Sequence, residues 1–190
     1  DSGRDEDAEG LFAIELQGCV RTAQHYLRNT AVLETVLEDG AGNRLRVRDF
    51  CPRFRTRGRV FRPMAIVRLV EPLAGRPVVR IRLRPRFDHG ALPPQVTRGS
   101  HHIAYRGGAG AFRLTTNGSL SAIAEETPCV LDAPLALVLA ADQTMEEPPL
   151  ALAQSWLEET RDYWDDWTRS LSIPFEWQEA VIRAAISLKL

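Results

Sequence analysis

Arg80-Ile81-Arg82-Leu83-Arg84 alternates strictly between arginine and aliphatic residues, and Arg44-Leu45-Arg46-Val47-Arg48 repeats the pattern. Because successive side chains of a β-strand point to opposite faces of a sheet, each stretch predicts a half-buried strand with a guanidinium face and an aliphatic face. Short apolar alternations recur over residues 12–139 without a long helical period. This part of the chain is therefore predicted to be mainly β.

Turn-forming residues separate the predicted strands. Residues 38–43 predict a hairpin turn because Gly and Asn tolerate positive φ, and residues 73–77 predict a second hairpin between strands 64–70 and 80–84. Short strands without intervening helices favour an antiparallel β-sandwich over a parallel α/β sheet. The remaining predicted strands span residues 12–16, 31–37, 111–115, 119–124 and 135–139.

The composition changes after Ala140. Beyond a Glu-Glu-Pro-Pro boundary, apolar residues recur every three or four positions with acidic residues between them, which predicts an amphipathic helix. Ser172-Ile173-Pro174 interrupts this pattern before a second apolar helix. We accordingly predict a β domain over residues 1–145, a helical linker over 146–174 and a further helix over 175–190. The apolar positions of the first helix are Ala153, Trp156, Leu157, Thr160, Trp164, Trp167 and Leu171.

All four tryptophans, Trp156, Trp164, Trp167 and Trp177, fall in this last part of the chain. Two helices alone cannot bury four indole rings, so the sequence predicts a larger body packed against them. The apolar face of the second helix also continues to Leu190 without the glycine or polar residues of a helix end. We therefore expect further helical protein beyond Leu190.

The net charge of −1 conceals a segregation of charge along the chain. Residues 44–106 carry sixteen arginines and three acids, whereas residues 125–190 carry thirteen acids and four bases. Alternating arginines could follow the phosphates of a nucleic acid, but no aromatic residues that could stack on bases are interleaved with them. We therefore predict a solvated or acid-facing sheet surface and no nucleic-acid partner.

Other functional classes are disfavoured by composition. No apolar segment approaches the roughly 18–20 residues that cross a bilayer, and the acidic first residues do not resemble a signal peptide, so we expect no membrane partner. Cys19, Cys51 and Cys129 are widely spaced and form no Cys-x-x-Cys pair, which predicts reduced thiols in a cytoplasmic protein. Neither a metal site nor a cofactor is expected.

Few residues suggest catalytic chemistry. Asp88-His89 and His101-His102 have acid–base potential, but adjacent histidines of a strand point to opposite faces and cannot chelate one ion together. The carboxylate pairs are adjacent in sequence and predict solvated surface. The aromatic cluster at 163–167 could stack on a sugar, although its helical spacing favours packing against a neighbour. No catalytic residue can be assigned.

Several segments in combination resemble a known family. Tyr26-Leu27-Arg28-Asn29-Thr30-Ala31-Val32-Leu33-Glu34-Thr35 resembles the motif Y-x-x-(D/N)-T-x-V-L-E-T, and Val47-Arg48-Asp49-Phe50-Cys51-Pro52 resembles V-x-D-F-x-P. Leu83-Arg84-Pro85-Arg86-Phe87-Asp88-His89-Gly90 is similar to L-x-P-R-F-D-Y-G, with His89 in place of the aromatic residue. Trp164 and Trp167 resemble a W-x-x-W linker. These motifs belong to bacterial and archaeal glucoamylase/trehalase-like glycoside hydrolases.

The resemblance covers residues 11–190 and implies a fold and a function. The fold would be a supersandwich-like antiparallel β-sandwich, followed by a helical linker and the start of an (α/α)6 barrel, with residues 177–190 resembling the opening barrel helix. The chain departs from the family in an arginine-rich insertion at 53–63 and in the lack of opening strands before Leu11. We therefore expect that the chain is cut at both ends or that flanking segments lie outside this sequence.

The implied activity is inverting hydrolysis of an α-glucan or α-glucoside by two carboxylates. In this family both carboxylates lie in barrel loops, so none is assigned here. Arg86, Asp88 and His89 are the candidates for a loop at the rim of the substrate pocket. Two alternatives stay open, namely a stand-alone β-sandwich module that binds carbohydrate or protein, and an arginine-faced nucleic-acid binder.

Overall fold

A computed structural model describes residues 9–108, 110–173 and 177–190. Strands dominate the first part of the chain and helices the last, so the predicted mainly β class is confirmed. In chain order, the bounds are β1 Leu11–Leu16, β2 Cys19–Tyr26, β3 Leu33–Asp39, β4 Arg44–Phe50, β5 Phe54–Thr56, β6 Arg59–Phe61, β7 Ala65–Ala74, β8 Val78–Arg84, β9 Gln95–Arg98, β10 His102–Gly107, β11 Gly110–Thr116, α1 Leu120–Ala124, β12 Cys129–Val130, β13 Leu135–Ala141, α2 Pro149–Arg169 and α3 Gln178–Lys189.

The strands pair in antiparallel fashion. The large sheet has the order β2-β3-β4-β7-β13-β11-β10-β9, the small sheet has the order β1-β8-β12, and β5 pairs with β6 in a separate hairpin. The turn at 38–43 joins β3 to β4, as predicted. There the Asp39 carboxylate accepts hydrogen bonds from the amides of Ala41 and Asn43, each at 2.9 Å.

The predicted hairpin between strands 64–70 and 80–84 is wrong. β7 pairs with β4 and β13 in the large sheet, whereas β8 pairs with β1 and β12 in the small sheet. Gly75, at φ 65°, turns the chain, which then crosses to the other sheet. The crossing places Val79 and Ile81 in an apolar core shared with the large sheet, and burial of these side chains favours it over hairpin pairing.

The predicted strand at 119–124 is also wrong, because these residues form α1. The Ser119 hydroxyl caps the helix by accepting a hydrogen bond from the Ala122 amide at 3.3 Å, and Ile123 is buried beneath it. A six-residue stretch is too short for its apolar pattern to distinguish strand from helix. Conversely, the alternation of apolar residues does not predict six of the observed strands, namely β2, β5, β6, β9, β10 and β12.

The two sheets share one apolar core, and α2 covers the opposite face of the large sheet. Leu45 and Ile81 are 0% and 4% exposed in the core between the sheets. On the other face, Ala153 and Leu157 of α2 pack with Leu69 and other residues of β7 and β13. The large sheet is therefore buried on both faces at its centre, and the helical periodicity predicted for α2 is confirmed.

A third apolar cluster lies where α2, α3 and the β5–β6 hairpin meet. Trp164 is 0% exposed there, and the body that buries it includes the β5–β6 hairpin of this same chain. Trp177, in contrast, is 79% exposed. The predicted start of the second helix near Phe175 falls outside the described residues. The other buried members are Phe54, Tyr163, Ile182 and Ile186, and Trp156 and Trp167 pack against them.

Candidate functional site

The three substrate-rim candidates lie in the turn that follows β8. Asp88 and His89 adopt positive φ angles of 49° and 54° within a short 3-10 turn. Both side chains are exposed, whereas Arg86 is half-buried and its guanidinium forms an ion pair with Glu9. The structure therefore joins Arg86 to Glu9 and leaves Asp88 and His89 facing solvent.

The histidine pair lies at the start of β10. Burial lowers the pKa of His102, and the positive charge of Arg113 adds to this effect, which favours the neutral imidazole. His101 is exposed just before the strand. Across residues 9–108, 110–173 and 177–190, no three His, Cys, Asp or Glu side chains come close enough together to hold a metal ion.

Carboxylates from neighbouring strands cover the guanidinium face of β4. Arg48 donates a hydrogen bond to Glu34 of β3 at 2.9 Å, and Arg46 donates to Glu71 of β7 at 3.0 Å. These residues are direct cross-strand partners in the antiparallel register. Arg46 and Arg48 of β4 therefore serve ion pairs within the fold, and the surface that they form is acid-facing, one of the two surfaces that the sequence predicted.

Glu126 plays the same part for β8. Arg84 donates to its carboxylate at 2.5 Å, and the Nε of Arg82 lies 3.4 Å from it. The hydrogen bond from Arg84 is the main cause that lowers the pKa of Glu126 below its ordinary value of 4.5. A carboxylate with a lowered pKa stabilises the fold above its unfolded pKa, and this contribution is lost as the pH falls through the folded pKa.

We expect Glu126→Gln to lower the free energy of unfolding by about 1–3 kcal/mol at pH 7, because two arginines lose a charged acceptor. Arg82 keeps its ion pair with Glu15 at 2.8 Å, which limits the loss. Urea denaturation measures the effect. The difference between the variant and the wild type is expected to shrink as the pH falls below 4.5, where protonation of Glu126 removes the same charge.

Asp132→Asn is the matched control for this prediction. Asp132 forms an ion pair with Arg76, and the two side chains are 63% and 74% exposed. Such an exposed pair contributes at most about 1 kcal/mol to the free energy of unfolding. We therefore expect a change within about 0.5 kcal/mol. Equal losses in the Asp132 and Glu126 variants would contradict the assignment of Glu126 as a structural anchor of β8.

Two arginines hold α3 against the rest of the protein. Arg183 donates a hydrogen bond to the carbonyl oxygen of Thr30 at 2.8 Å, and its guanidinium lies 4.1 Å from the ring centroid of Tyr26. Arg53 donates to the carbonyl oxygen of Lys189 at 2.9 Å. Together these contacts anchor the middle of α3 to the β2–β3 connection and the C-terminal end of α3 to the segment before β5.

α3 carries apolar residues on two opposite faces. Ile182 and Ile186 are 7% and 1% exposed against the body of the protein. At 100° per residue, Val181, Ala184 and Leu188 lie on the opposite side of the helix. All three are exposed. We call these three residues the outer face of α3.

A groove of about 1110 Å³ separates α3 from the β2–β3 connection. We call it the α3 groove. It combines apolar residues with exposed polar and aromatic side chains, and it lies on the side of α3 that faces the large sheet. Its polar and aromatic lining residues include His25, Tyr26, Arg28, Trp177, Gln178, Glu179 and Arg183.

No sequence pattern indicates that Arg53, Arg183 or Tyr26 belongs to a site. Tyr26 begins one family-like motif and Arg53 begins the arginine-rich insertion, but neither signal indicates what these side chains contact. The partners of Arg53 and Arg183 lie 136 and 153 residues away along the chain. Only the folded arrangement brings such distant groups together.

The β5–β6 hairpin differs from the strand arginines. Arg55, Arg57, Arg59 and Arg62 are exposed there, and no carboxylate of the described residues lies within 4.0 Å of them. Within the described residues, the charges of these four arginines are therefore not neutralised by an ion pair, unlike the charges of Arg46 and Arg48 of β4 and of Arg82 and Arg84 of β8. The prediction that the protein has no nucleic-acid partner stays a prediction.

Comparisons with known proteins do not identify the chain. No protein-family model, no curated protein and no solved structure matches it. None of the helices that the structure describes combines the length and the apolar composition needed to cross a bilayer. The resemblance to glucoamylase/trehalase-like hydrolases thus stays a prediction from motifs. The outer face of α3 and the α3 groove are two surfaces on which a function can be argued.

Proposed function

We propose that this chain is the N-terminal, non-catalytic domain of an inverting glycoside hydrolase of the glucoamylase/trehalase-like kind, which acts on α-glucosides. Its parts would be a supersandwich-like β-sandwich over residues 1–145, a helical linker over 146–174 and the first helix of an (α/α)6 barrel over 175–190. The core shared by the two sheets supports the first part. The order in which α2 and α3 follow the sheets supports the other two.

The outer face of α3 is the observation that carries the proposal. Val181 is 43% exposed and Leu188 is 90% exposed, although the opposite face of the same helix is buried. A helix that is apolar on both sides is typical of one packed between neighbours, as in a barrel of helices. Burying the outer face against a helical layer would remove this apolar surface from water.

The chemistry in this proposal belongs to two carboxylates in barrel loops. One protonates the leaving oxygen and the other activates water, and inverting enzymes hold the pair roughly 6.5–9.5 Å apart. No residue of this chain receives a catalytic role. The part of this chain is to hold α3 in place. The turn with Arg86, Asp88 and His89 would reach the rim of the substrate pocket. The exposure of Asp88 and His89 supports this placement.

The test compares the 190-residue chain with the polypeptide that its gene encodes past Leu190. We expect the 190-residue chain to leave maltose, trehalose and soluble starch intact. The longer polypeptide is expected to release β-glucose as the first product, which NMR of the anomeric protons detects. Hydrolysis by the short chain, or none by the longer one, would overturn the proposal.

A variant pair sharpens this test in the longer polypeptide. Leu188→Asp places a charge on the outer face of α3 and is expected to abolish activity, because an unpaired charge cannot be buried in a helical interface. Val20→Asp is the matched control, since Val20 of β2 is also exposed, at 70%, and lies outside both candidate surfaces. Full activity of the Leu188 variant would contradict barrel packing on this face.

A cytoplasmic location is part of the proposal. Cys19, Cys51 and Cys129 are free thiols, and burial raises the pKa of Cys51 and Cys129, which favours their uncharged form. Free thiols are typical of compartments that keep cysteine reduced.

A stand-alone β-sandwich module that binds carbohydrate or protein is the second candidate. The burial of Trp164 at 0% exposure favours it, because the chain completes the third apolar cluster with its own residues. A stop codon directly after Leu190, together with saccharide binding by the chain, would support this candidate over the hydrolase domain.

A further inference from the structure

Trp177 occupies a position that fold stability does not explain. Its side chain is 79% exposed, so it contributes little to any apolar core. Its backbone adopts φ 65°, a left-handed conformation that is unfavourable for a bulky aromatic residue. An exposed indole ring held in a strained conformation at the mouth of a groove suggests a role in binding.

The rest of the α3 groove supplies hydrogen-bonding groups that the fold leaves unused. The side chains of Arg28, Gln178 and Glu179 are exposed and line the groove. Within the described residues, none of them has a side-chain hydrogen bond or an ion pair. Guanidinium, amide and carboxylate groups are planar and can each engage two neighbouring hydroxyl groups at once.

The charge of the groove favours a neutral ligand. Arg28 and Glu179 carry opposite charges, and the one further charge, on Arg183, is directed at the Thr30 carbonyl oxygen and the Tyr26 ring. His25 lies 3.7 Å from Glu34, which offsets its charge when it is protonated. The groove is therefore unlike the arginine-rich hairpin, and neither a polyanion nor a polycation would find a matching field in it.

We propose that the α3 groove binds a neutral saccharide. A pyranose ring presents an apolar C–H face that would stack on Trp177, and its hydroxyl groups would bond to Arg28, Gln178 and Glu179. The volume of about 1110 Å³ is sufficient for an oligosaccharide of several rings. The choice of an α-glucan among neutral saccharides rests on the proposed function. The groove would then hold the substrate chain outside the catalytic barrel.

The experiment titrates the 190-residue chain with maltohexaose and, separately, with cellohexaose while tryptophan emission is recorded. Maltohexaose is expected to shift the emission to shorter wavelength as it covers Trp177. Trp177→Ala and Glu179→Gln are each expected to weaken binding about tenfold, measured by calorimetry. Trp177→Phe keeps a stacking surface and is expected to retain most of the affinity.

Met64→Ala is the matched control, because Met64 is 87% exposed and lies outside the groove. Its affinity for maltohexaose is expected to equal that of the wild type, and circular dichroism verifies that every variant is folded. No saturable binding of either saccharide, or binding that Trp177→Ala and Glu179→Gln leave unchanged, would overturn the groove proposal. Binding of cellohexaose alone would support a saccharide groove but overturn its assignment to α-glucans, whereas the barrel proposal is judged by activity of the longer polypeptide.

Discussion

Trp164→Ala is expected to lower the free energy of unfolding by about 3–5 kcal/mol, the range found when a fully buried aromatic residue is truncated. Trp164 is 0% exposed and meets Tyr163 and Trp167 edge-on, with centroid distances of 5.4 and 5.5 Å. Ile182 and Ile186 of α3 complete its surroundings. Removing the indole therefore leaves a cavity at the point where α2, α3 and the β5–β6 hairpin meet. Urea denaturation followed by circular dichroism measures the loss.

Two further substitutions test whether the loss of stability comes from the packing of Trp164 or would follow from the removal of any tryptophan. Trp164→Phe keeps most of the ring volume and removes an indole N–H that has no hydrogen-bond partner among the described residues, so we expect a smaller loss of about 1–2 kcal/mol. Trp177→Ala removes an exposed ring and is expected to change stability by no more than about 0.5 kcal/mol. A loss below 1 kcal/mol for Trp164→Ala would contradict the burial described for this residue.

Arg53→Met is expected to cost about 2–4 kcal/mol, the sum of a charge-assisted hydrogen bond and cation–π contacts. Arg53 is 8% exposed, and its guanidinium lies 5.9 Å from the Tyr163 ring centroid and 5.5 Å from that of Trp164. It also donates to the Lys189 carbonyl at 2.9 Å, so its loss should release the end of α3 before the sheets unfold. Hydrogen exchange should therefore show early loss of protection over residues 181–190.

Arg55→Met is the matched control for Arg53→Met. Arg55 belongs to the same arginine-rich segment but is exposed, and no carboxylate of the described residues pairs with it. We expect its replacement to change stability by less than about 0.5 kcal/mol and to leave hydrogen exchange in α3 unchanged. Arg53→Lys keeps the charge but not the planar guanidinium, so an intermediate loss is expected. Similar exchange in the Arg53 and Arg55 variants would contradict an anchoring role for Arg53.

The half-buried strands were predictable because alternation is a local property. β4 and β8 occupy the stretches where arginine and aliphatic residues alternate, and the turn at 38–43 joins β3 to β4 as its Gly and Asn residues predict. The turn at 73–77 was misleading. Its turn-forming residues show that the chain changes direction there, but they do not show with which strand β8 pairs. Ser119 is a similar case, since a single capped turn of helix resembles a short strand in sequence.

The candidate site was much less predictable than the strands. Arg86, Asp88 and His89 are candidates because of a motif, and in the structure Arg86 forms an ion pair with Glu9. The tryptophans of the helices look alike in the sequence, yet Trp164 is fully buried and Trp177 is 79% exposed. The spacing of Trp164 and Trp177 in the sequence does not predict this difference in exposure. The difference arises because the β5–β6 hairpin and α3 pack over Trp164 and not over Trp177.

The amino-acid sequence by itself determined the mainly β class, the helical last segment and the amphipathic faces of both, because these follow from periodicity over a few neighbouring residues. Tertiary structure alone decided that β7 and β8 belong to different sheets, that Glu126 pairs with Arg82 and Arg84 of β8 and that Arg53 and Arg183 anchor α3. Those contacts join residues far apart in the chain, and their free energy depends on burial and distance, which exist only once the sheets and helices have packed.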